Sequence, residues 1–279
     1  MISNTAKQFI EKEREYFAPM NARETRSTAE ERTAWRGETI RQRQERISLE
    51  VYEMVQGRVA YGPFEGMRLN RERWWGALDL GSQCLGLYEK EVLEQLSLIQ
   101  DERKYDFFID IGAADGYYTT GVLCSGLFNK AIAFEALPKG QDAILASWLE
   151  NNSPGELEIL GEATEHALVN LPNEALDSAL VLVDVEGAEF DILSPVVLEK
   201  LLHSTIVIEI HNWINDFEHR YFAFLESAFN LFKVEVLTPV SRDIHKYQEL
   251  RDFTDDNRLL LVSERRPCQM RFLKLSPMP

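Results

Sequence analysis

Apolar and polar positions follow two different patterns along the chain, and the change lies near residue 105. Beyond that point short apolar runs alternate with longer amphipathic stretches. The predicted strands span residues 107–110, 131–135, 157–160, 179–184, 205–210, 234–237 and 259–263, and the predicted helices span residues 117–127, 139–150, 188–202 and 218–229. Continuous apolar runs such as 179–183 are typical of strands buried on both faces. The pattern therefore predicts an α/β protein with a mostly parallel, doubly wound sheet.

Three segments follow from the same pattern. Residues 1–57 are predicted to be a helical extension, with breaks at Pro19 and Gly37 and an apolar stripe at helical spacing that comprises Ile40, Ile47, Val51, Met54 and Val55. We expect these helices to lie on the main domain or on a partner chain, which leaves a homo-oligomer open. Residues 58–104 are predicted to hold a β-hairpin at 59–70 and a helix that ends near residue 99. Residues 105–279 form the α/β domain, whose last two strands are predicted to pair as an antiparallel hairpin at the sheet edge.

Composition narrows the range of partners. The 279 residues are 45% hydrophobic, enough to bury one large core with an appendage or two small domains. The net charge of −16 and the pI of about 4.8 disfavour DNA, RNA and anionic membranes as partners. The three cysteines include no C-x-x-C pair, and no run approaches the ~20 apolar residues of a membrane span. We therefore expect a cytoplasmic protein with reduced thiols and neither a signal peptide nor a membrane span.

The loop after the first predicted strand is the most informative feature of the sequence. It combines two glycines with two acids in the spacing D-x-G-x-x-D-G, from Asp110 to Gly116. Such a loop brings backbone close to a nucleotide-like ligand. The loop lacks the third glycine of a dinucleotide-binding loop, and acids suit a cation better than a phosphate. The loop therefore favours S-adenosylmethionine, which carries a sulfonium and an ammonium group and no phosphate.

Acidic residues stand at the ends of five consecutive predicted strands, namely Asp110, Glu135, Glu162, Asp184 and Glu209. Ligands of open α/β sheets bind beyond the carboxyl ends of the strands, so these side chains are expected to converge. Glu135 lies about 20 residues after the glycine loop, where a carboxylate can accept both hydroxyls of an adenosine ribose. One acid at a strand end is ordinary, because it caps the next helix. Five in register predict a ligand site.

The sequence resembles the FkbM family of S-adenosylmethionine-dependent methyltransferases. The resemblance covers about residues 58–263. It is carried by residues 110–118 (DIGAADGYY), 133–135 (AFE), 183–189 (VDVEGAE) and 208–211 (IEIH), with 62–67 (GPFEGM) and 85–89 (LGLYE) upstream. Asp115 stands where the family usually has Asn, and Ala136 stands where it has Pro. Neither change removes a carboxylate.

The resemblance implies a Rossmann-like class I methyltransferase sheet, with its terminal antiparallel pair, and S-adenosylmethionine as the cofactor. Asp110, Gly112 and Gly116 are implied to lie beside the methionine moiety, and Glu162 with Ala163 beside the adenine. The whole predicted cofactor-binding set is Asp110, Gly112, Ala113, Asp115, Gly116, Tyr117, Glu135, Ala136, Glu162, Ala163 and Asp184.

Methyl transfer to a hydroxyl needs a base that takes the hydroxyl proton. The predicted catalytic residues are Asp184, Glu186, Glu209 and His211, which end the fourth and fifth strands. His211, Asp184 and Glu186 are the candidate bases. His211 suits the role because its unperturbed pKa is ~6.5, and the alternative is a histidine hydrogen-bonded in a loop. Glu209 either orients His211 or caps it.

Three functional hypotheses fit the sequence. The preferred one is O-methylation of a hydroxyl on a sugar, a glycan or a related small molecule, with N-methylation left open. The alternatives are a nicotinamide-dependent oxidoreductase on a similar sheet and a non-catalytic module whose N-terminal helices recruit a partner. Some similar sugar O-methyltransferases use a divalent cation, but no ligand spacing here is diagnostic, so no metal is predicted. Trp74, Trp75 and Trp213 flank the expected cleft, either as a stacking wall for the substrate or as core residues.

Overall fold

The computed structural model describes residues 4–17, 27–72, 74 and 76–278. The strands found in these residues are β1 (Phe107–Ile111), β2 (Lys130–Phe134), β3 (Glu156–Leu160), β4 (Ala179–Val183), β5 (Thr205–Ile210), β6 (Phe232–Val236) and β7 (Arg271–Pro277). They form one sheet in the order β3-β2-β1-β4-β5-β7-β6. Strands β1 to β5 run parallel, and β7 is antiparallel to both β5 and β6. This order confirms the predicted Rossmann-like class I methyltransferase fold.

Helices precede the sheet and connect its strands. Before β1 lie α1 (Asn4–Phe17), α2 (Ala29–Arg36), α3 (Ile40–Met54), α4 (Leu80–Cys84) and α5 (Lys90–Arg103). Within the sheet region lie α6 (Tyr117–Cys124), α7 (Pro138–Glu150), α8 (Glu165–Val169), α9 (Asn173–Asp177), α10 (Glu189–Ile192), α11 (Pro195–Lys200), α12 (Phe217–Leu231) and α13 (Asp255–Leu261), with 3-10 helices at Ile244–Lys246 and Gln248–Leu250. None of the described helices has the length and apolar character that crossing a bilayer requires.

The sheet is buried on both faces because its central strands are apolar at nearly every position, with Asp110 and Glu209 as exceptions near the strand ends. Side chains of neighbouring strand residues point to opposite faces. Phe108 and Leu180 accordingly lie in the core on one face, and Ile109 and Val181 lie in the core on the other. All five residues of β1 and of β4 are buried. This is the double winding that the continuous apolar runs predicted.

Helix α3 of the predicted N-terminal extension packs into the main core. Ile47 and Val51 are fully buried and belong to the same apolar cluster as Phe108. Ile40 and Met54, the outer positions of the predicted stripe, are exposed. Gly37 is the C-cap of α2, as expected for a helix break, whereas Pro19 lies outside the described residues.

The prediction of a strand at residues 259–263 is wrong. Helix α13 covers most of this stretch, and the seventh strand lies further on, at β7. Thr254 stands at the N-cap of α13, with Asp255 and Asp256 in its first turn, and these are ordinary signals for the start of a helix. The predicted antiparallel pairing of the last two strands at the sheet edge is confirmed, since β7 pairs with β6 and β6 forms the edge. The two strands are not joined by a tight turn, because two 3-10 helices and α13 lie between them.

Two further predictions need correction. The expected hairpin at residues 59–70 contains no strand and only one antiparallel bridge, between Arg58 and Arg68. The expected helix over residues 188–202 is divided into α10 and α11. Ser194 caps the start of α11 and Pro195 occupies its first turn, where the missing N–H of proline is harmless.

Candidate active site

A cleft of about 730 Å3 opens beyond the carboxyl ends of β1 to β4. Residues from four successive strand ends line it, as expected for an open α/β sheet. The predicted site residues in its wall are Gly112, Glu135, Ala136, Glu162, Ala163, Asp184 and Glu186. The structure therefore brings most of the sequence-predicted carboxylates to one shared hollow.

Gly112 allows the first loop to pass close to the end of β4. Its φ of +90° lies in the left-handed region that favours glycine. A Cβ atom at this position would overlap the backbone carbonyl oxygen of Asp184. The two strand ends are thus in direct backbone contact at the floor of the cleft.

Glu135 is held at the end of β2 by two backbone amides. Ala114 N–H donates to Oε2 at 2.9 Å, and Leu137 N–H donates to Oε1 at 2.8 Å. A Cβ on Gly140 would lie 2.5 Å from Cγ of Glu135, so a larger residue there would displace the carboxylate. The side chain is buried yet contributes to the cleft wall.

Other residues predicted to bind the cofactor do not line this cleft. Asp110 and Ala113 are buried beneath the first loop, and Gly116 packs against Ile144. Asp115 and Tyr117 face a separate hollow of about 30 Å3. The first loop therefore contributes Gly112 and Ala114 to the cleft wall, and its other residues do not line the cleft.

Asp110 supports the loop from inside the protein. Thr119 donates its hydroxyl hydrogen to Oδ2 of Asp110 at 2.6 Å. Burial raises the pKa of Asp110 to about 7, although the bond from Thr119 opposes this shift. The carboxyl is thus poised between its two protonation states near neutral pH.

The predicted catalytic residues meet at the ends of β4 and β5. Nε2 of His211 lies 3.5 Å from Oδ1 of Asp184, 3.7 Å from Oε2 of Glu186 and 3.7 Å from Oε2 of Glu209. His211 and Glu209 are buried, whereas the side chain of Glu186 is 79% exposed. Glu186 has a φ of +53°, in the turn between β4 and α10. We call these four residues the strand-end cluster.

Sequence reasoning missed Glu189 as a site residue. Its Oε1 contacts Nδ1 of His211 and also accepts a 3.0 Å hydrogen bond from Gly187 N–H. Glu189 is fully buried. It belongs to the conspicuous VDVEGAE block, so the sequence carried a signal for it, but only the fold shows which histidine it contacts.

Glu89 and Arg266 were also missed. Glu89 lies in the upstream segment 85–89, is buried, and accepts a 2.7 Å hydrogen bond from the hydroxyl of Tyr118. Arg266 forms ion pairs with Glu209 and, at 3.4 Å, with Glu89. No sequence pattern points to Arg266, because it follows α13 and reaches the cluster only through the reversed end of the sheet.

Burial and crowded negative charge dominate the electrostatics of the cluster. Burial and the nearby charge of Glu89 together raise the pKa of Asp184 to about 8, against the opposing charge of His211. The pKa of Glu89 is also raised, by burial, against the opposing effect of Arg266. Burial lowers the pKa of His211, but the hydrogen bond and charge of Glu189 outweigh it, so the net shift is upward. The site is therefore suited to holding protons or other cations near neutral pH.

Two tryptophans lie near this site. Trp74 lines the cleft, and the ring of Trp213 meets that of His211 edge-on, with the centroids 4.8 Å apart. Trp75 lies outside the described residues. Of the two expectations for the tryptophans, a stacking wall or a place in the core, the position of Trp74 at the cleft agrees with the first.

Comparisons with known proteins find remote structural similarity only. No family model and no curated protein sequence matches this chain. Among solved structures, precorrin-6Y C5,15-methyltransferase from Geobacter metallireducens GS-15 is 16% identical, with 67% of this chain and 89% of that chain covered and a TM-score of 0.43. An O-methyltransferase from Bacillus cereus in complex with SAH is 14% identical, with 82% and 90% covered and a TM-score of 0.46. An rRNA methylase from Streptococcus thermophilus is 12% identical, with 68% and 97% covered and a TM-score of 0.44. These likenesses are too remote to transfer an activity, and membership of the FkbM family stays a prediction.

Proposed function

We propose that this protein is an S-adenosylmethionine-dependent methyltransferase that acts on a hydroxyl of a sugar, a glycan or a related small molecule. One observation carries the proposal. The wall of a single cleft joins the carboxylate of Glu135, at the end of β2, to the strand-end cluster, which Asp184 and Glu186 extend into that wall. The first is suited to an adenosine ribose, and the second to the chemistry at the methyl group.

The cofactor half of the cleft has the hydrogen-bond acceptors and the space that S-adenosylmethionine needs. Each carboxylate oxygen of Glu135 accepts one backbone hydrogen bond and retains a second lone pair, so the pair can still accept two ribose hydroxyls. Ala136 and Ala163 are small and leave room for adenine, with Glu162 beside them. The sulfonium would then face Asp184, where the acidic surroundings favour a positive charge.

The reaction needs one proton acceptor and an aligned hydroxyl. The hydroxyl oxygen attacks the methyl carbon as the carbon–sulfur bond breaks, and the sulfonium becomes the thioether of S-adenosylhomocysteine. The hydroxyl proton passes to the strand-end cluster, where Asp184, Glu186 and His211 are the candidate acceptors. The resemblance to the FkbM family supports a sugar-like acceptor, and N-methylation is an alternative that the same geometry allows.

The alternative of a nicotinamide-dependent oxidoreductase has less support. A dinucleotide places its pyrophosphate against the first loop, where the second glycine of the motif lets the backbone come close and the third lets the helix pack on the strand. Counted from Gly112, Ala114 and Tyr117 occupy the places of the second and third glycines, and Glu135 and Asp184 line the cleft nearby. Negative charge at this place opposes a pyrophosphate and suits a sulfonium.

The proposal is tested by titrating the protein with S-adenosylhomocysteine in a calorimeter. We expect binding, and we expect label to move from methyl-labelled S-adenosylmethionine to sugars or oligosaccharides. His211→Ala should abolish turnover while the affinity for S-adenosylhomocysteine stays nearly unchanged. Glu174→Ala, which removes an exposed acid outside the cleft, should retain turnover. No binding of S-adenosylhomocysteine at millimolar concentration would refute the proposal.

A further inference from the structure

We infer that Asp184, Glu186 and His211 bind a divalent cation at the mouth of the strand-end cluster. The inference rests on the proposed function and deepens it, because the ion would lie in the acceptor half of the same cleft. One ligand atom from each of these residues lies within 4.8 Å of the others. Asp184 and Glu186 also line the cleft, so an ion can reach the group from solvent.

The orientation of His211 is the first observation. Its side chain is 2% exposed, and within the described residues Nε2 makes no hydrogen bond. Nε2 instead faces oxygens of Asp184, Glu186 and Glu209 at 3.5 to 3.7 Å. These separations are long for hydrogen bonds. They are close to the roughly 3 to 3.5 Å that separates neighbouring ligands of one ion when each metal–ligand bond is about 2.1 Å.

The contact between Glu189 and Nδ1 is the second observation. Glu189 is fully buried, and its oxygen contacts Nδ1 of His211. A carboxylate behind a histidine fixes the proton on the nitrogen it faces and turns the lone pair of the other nitrogen outward, as in many metal sites. Here that lone pair points at carboxyl oxygens, an arrangement that is favourable when a positively charged species lies between them. An ion and a proton on Nε2 are the two occupants that satisfy this geometry.

The charges of the group favour a divalent ion. Arg266 compensates Glu209 through an ion pair, so Asp184 and Glu186 are the two carboxylates that a dication would neutralise. One imidazole and two carboxylates form the mixed nitrogen and oxygen set that suits Mn2+, Fe2+ or Zn2+ better than Ca2+. Glu186 is mostly exposed, so the ion would retain positions open to the cleft.

Such an ion would supply one chemical contribution, which is to lower the pKa of an acceptor hydroxyl in contact with it. The hydroxyl proton then leaves more readily to solvent or to a neighbouring carboxylate. Glu189 holds His211 in place, and Arg266 limits the net negative charge. The acceptor would therefore be a molecule with an oxygen that can reach the ion beside the methyl group.

Mn2+ is the probe for the test, because its electron paramagnetic resonance signal disappears on binding. We expect the protein without cofactor to bind one equivalent of Mn2+. Glu186→Gln and His211→Ala should each weaken binding by at least the roughly 10- to 100-fold that loss of a supporting outer ligand costs. Glu165→Gln is the matched control, since it neutralises an acid in the wall of the same cleft outside the cluster. It should bind Mn2+ as the wild type does.

Equal Mn2+ binding by the wild type and Glu186→Gln would overturn the inference, as would no binding by the wild type. In both cases a proton on Nε2 of His211, and not a metal ion, would account for the geometry. The side chain of Glu186 is exposed, so this variant should fold normally, and circular dichroism checks that it does. Titration of the same samples with S-adenosylhomocysteine separates the two proposals. Binding of S-adenosylhomocysteine without Mn2+ refutes only the cation site, and binding of Mn2+ without S-adenosylhomocysteine refutes the proposed function.

Discussion

The backbone N–H of Ala114 donates a 2.9 Å hydrogen bond to Oε2 of Glu135. Ala114 adopts a φ of +56°, a left-handed conformation that few non-glycine residues take. Leu137 N–H occupies the other oxygen of the same carboxylate. The loops after β1 and β2 are therefore tied together through one side chain, and the cleft wall is organised before any ligand arrives.

Glu135→Ala should lower both the affinity for S-adenosylhomocysteine and the stability of the folded protein. The change leaves two backbone N–H groups without their carboxylate partner, and unpaired buried donors cost about 1–3 kcal/mol each. It also removes the acceptor proposed for the ribose. Hydrogen bonds to charged groups contribute about 1.5–3 kcal/mol, so affinity for S-adenosylhomocysteine should fall roughly 10- to 100-fold. Calorimetry and thermal unfolding measure the two effects.

Glu135→Gln is the control for the charge. Its amide oxygen can accept from one backbone N–H, while its NH2 group faces the other donor. We therefore expect an intermediate loss of affinity and of stability. An alanine variant that binds S-adenosylhomocysteine like the wild type would show that Glu135 organises the loops without holding the ribose.

Gly112→Ala should abolish cofactor binding, because the new methyl group overlaps the carbonyl oxygen of Asp184. Gly66→Ala is a close control. Gly66 has a φ of +92°, almost the same as the +90° of Gly112, but a Cβ there meets no atom within 4 Å. Both variants carry the backbone penalty of roughly 1–2 kcal/mol. A larger loss of stability in Gly112→Ala, measured by chemical denaturation, would isolate the contact, and equal losses would contradict it.

Asp110 should make the protein less stable as the pH rises. Burial raises the folded-state pKa of Asp110 to about 7, from an ordinary value of 3.8. Between these values the folded state holds a proton that the unfolded state releases. The stabilising contribution is complete below about pH 3.8 and is lost as the pH rises through about 7. The slope from this group is at most about 1.4 kcal/mol per pH unit.

Asp110→Asn removes this titration and should flatten the dependence of unfolding free energy on pH between 5 and 8, measured in urea. Parallel curves for the wild type and Asp110→Asn would show that Asp110 does not titrate in this range.

Buried parallel strands were predictable because burial on both faces leaves a continuous apolar run. Residues 179–183 are one example, and the structure has a strand with those bounds. The reversed end of the sheet was not predictable in the same way. The apolar run 259–262 serves helix α13, whereas β7 alternates apolar with polar residues and lies between two strands that precede it in the chain. The length of an apolar run alone does not distinguish a buried strand from part of a helix.

The candidate site likewise contains residues that were predictable from the sequence and residues that were not. Glu135, Asp184 and His211 follow strands directly, so the sheet fixes their positions once its order is known. Glu89 lies before the first strand and Arg266 lies between β6 and β7, so neither follows a strand directly. Their position beside the strand-end cluster depends on tertiary packing. Sequence adjacency to a strand end is therefore what made a site residue predictable.

Glu189→Gln should reduce turnover without changing cofactor affinity. Glu189 contacts Nδ1 of His211 from the side opposite to the cleft carboxylates, so its charge and position fix the orientation of the imidazole. The glutamine variant keeps an oxygen at that place and should retain part of the turnover number, whereas Glu189→Ala should lose nearly all of it. Affinity for S-adenosylhomocysteine should stay near the wild-type value in both variants, because Glu189 does not line the cleft. A purely structural role for Glu189 would instead lower cofactor affinity and turnover together, with no advantage of glutamine over alanine.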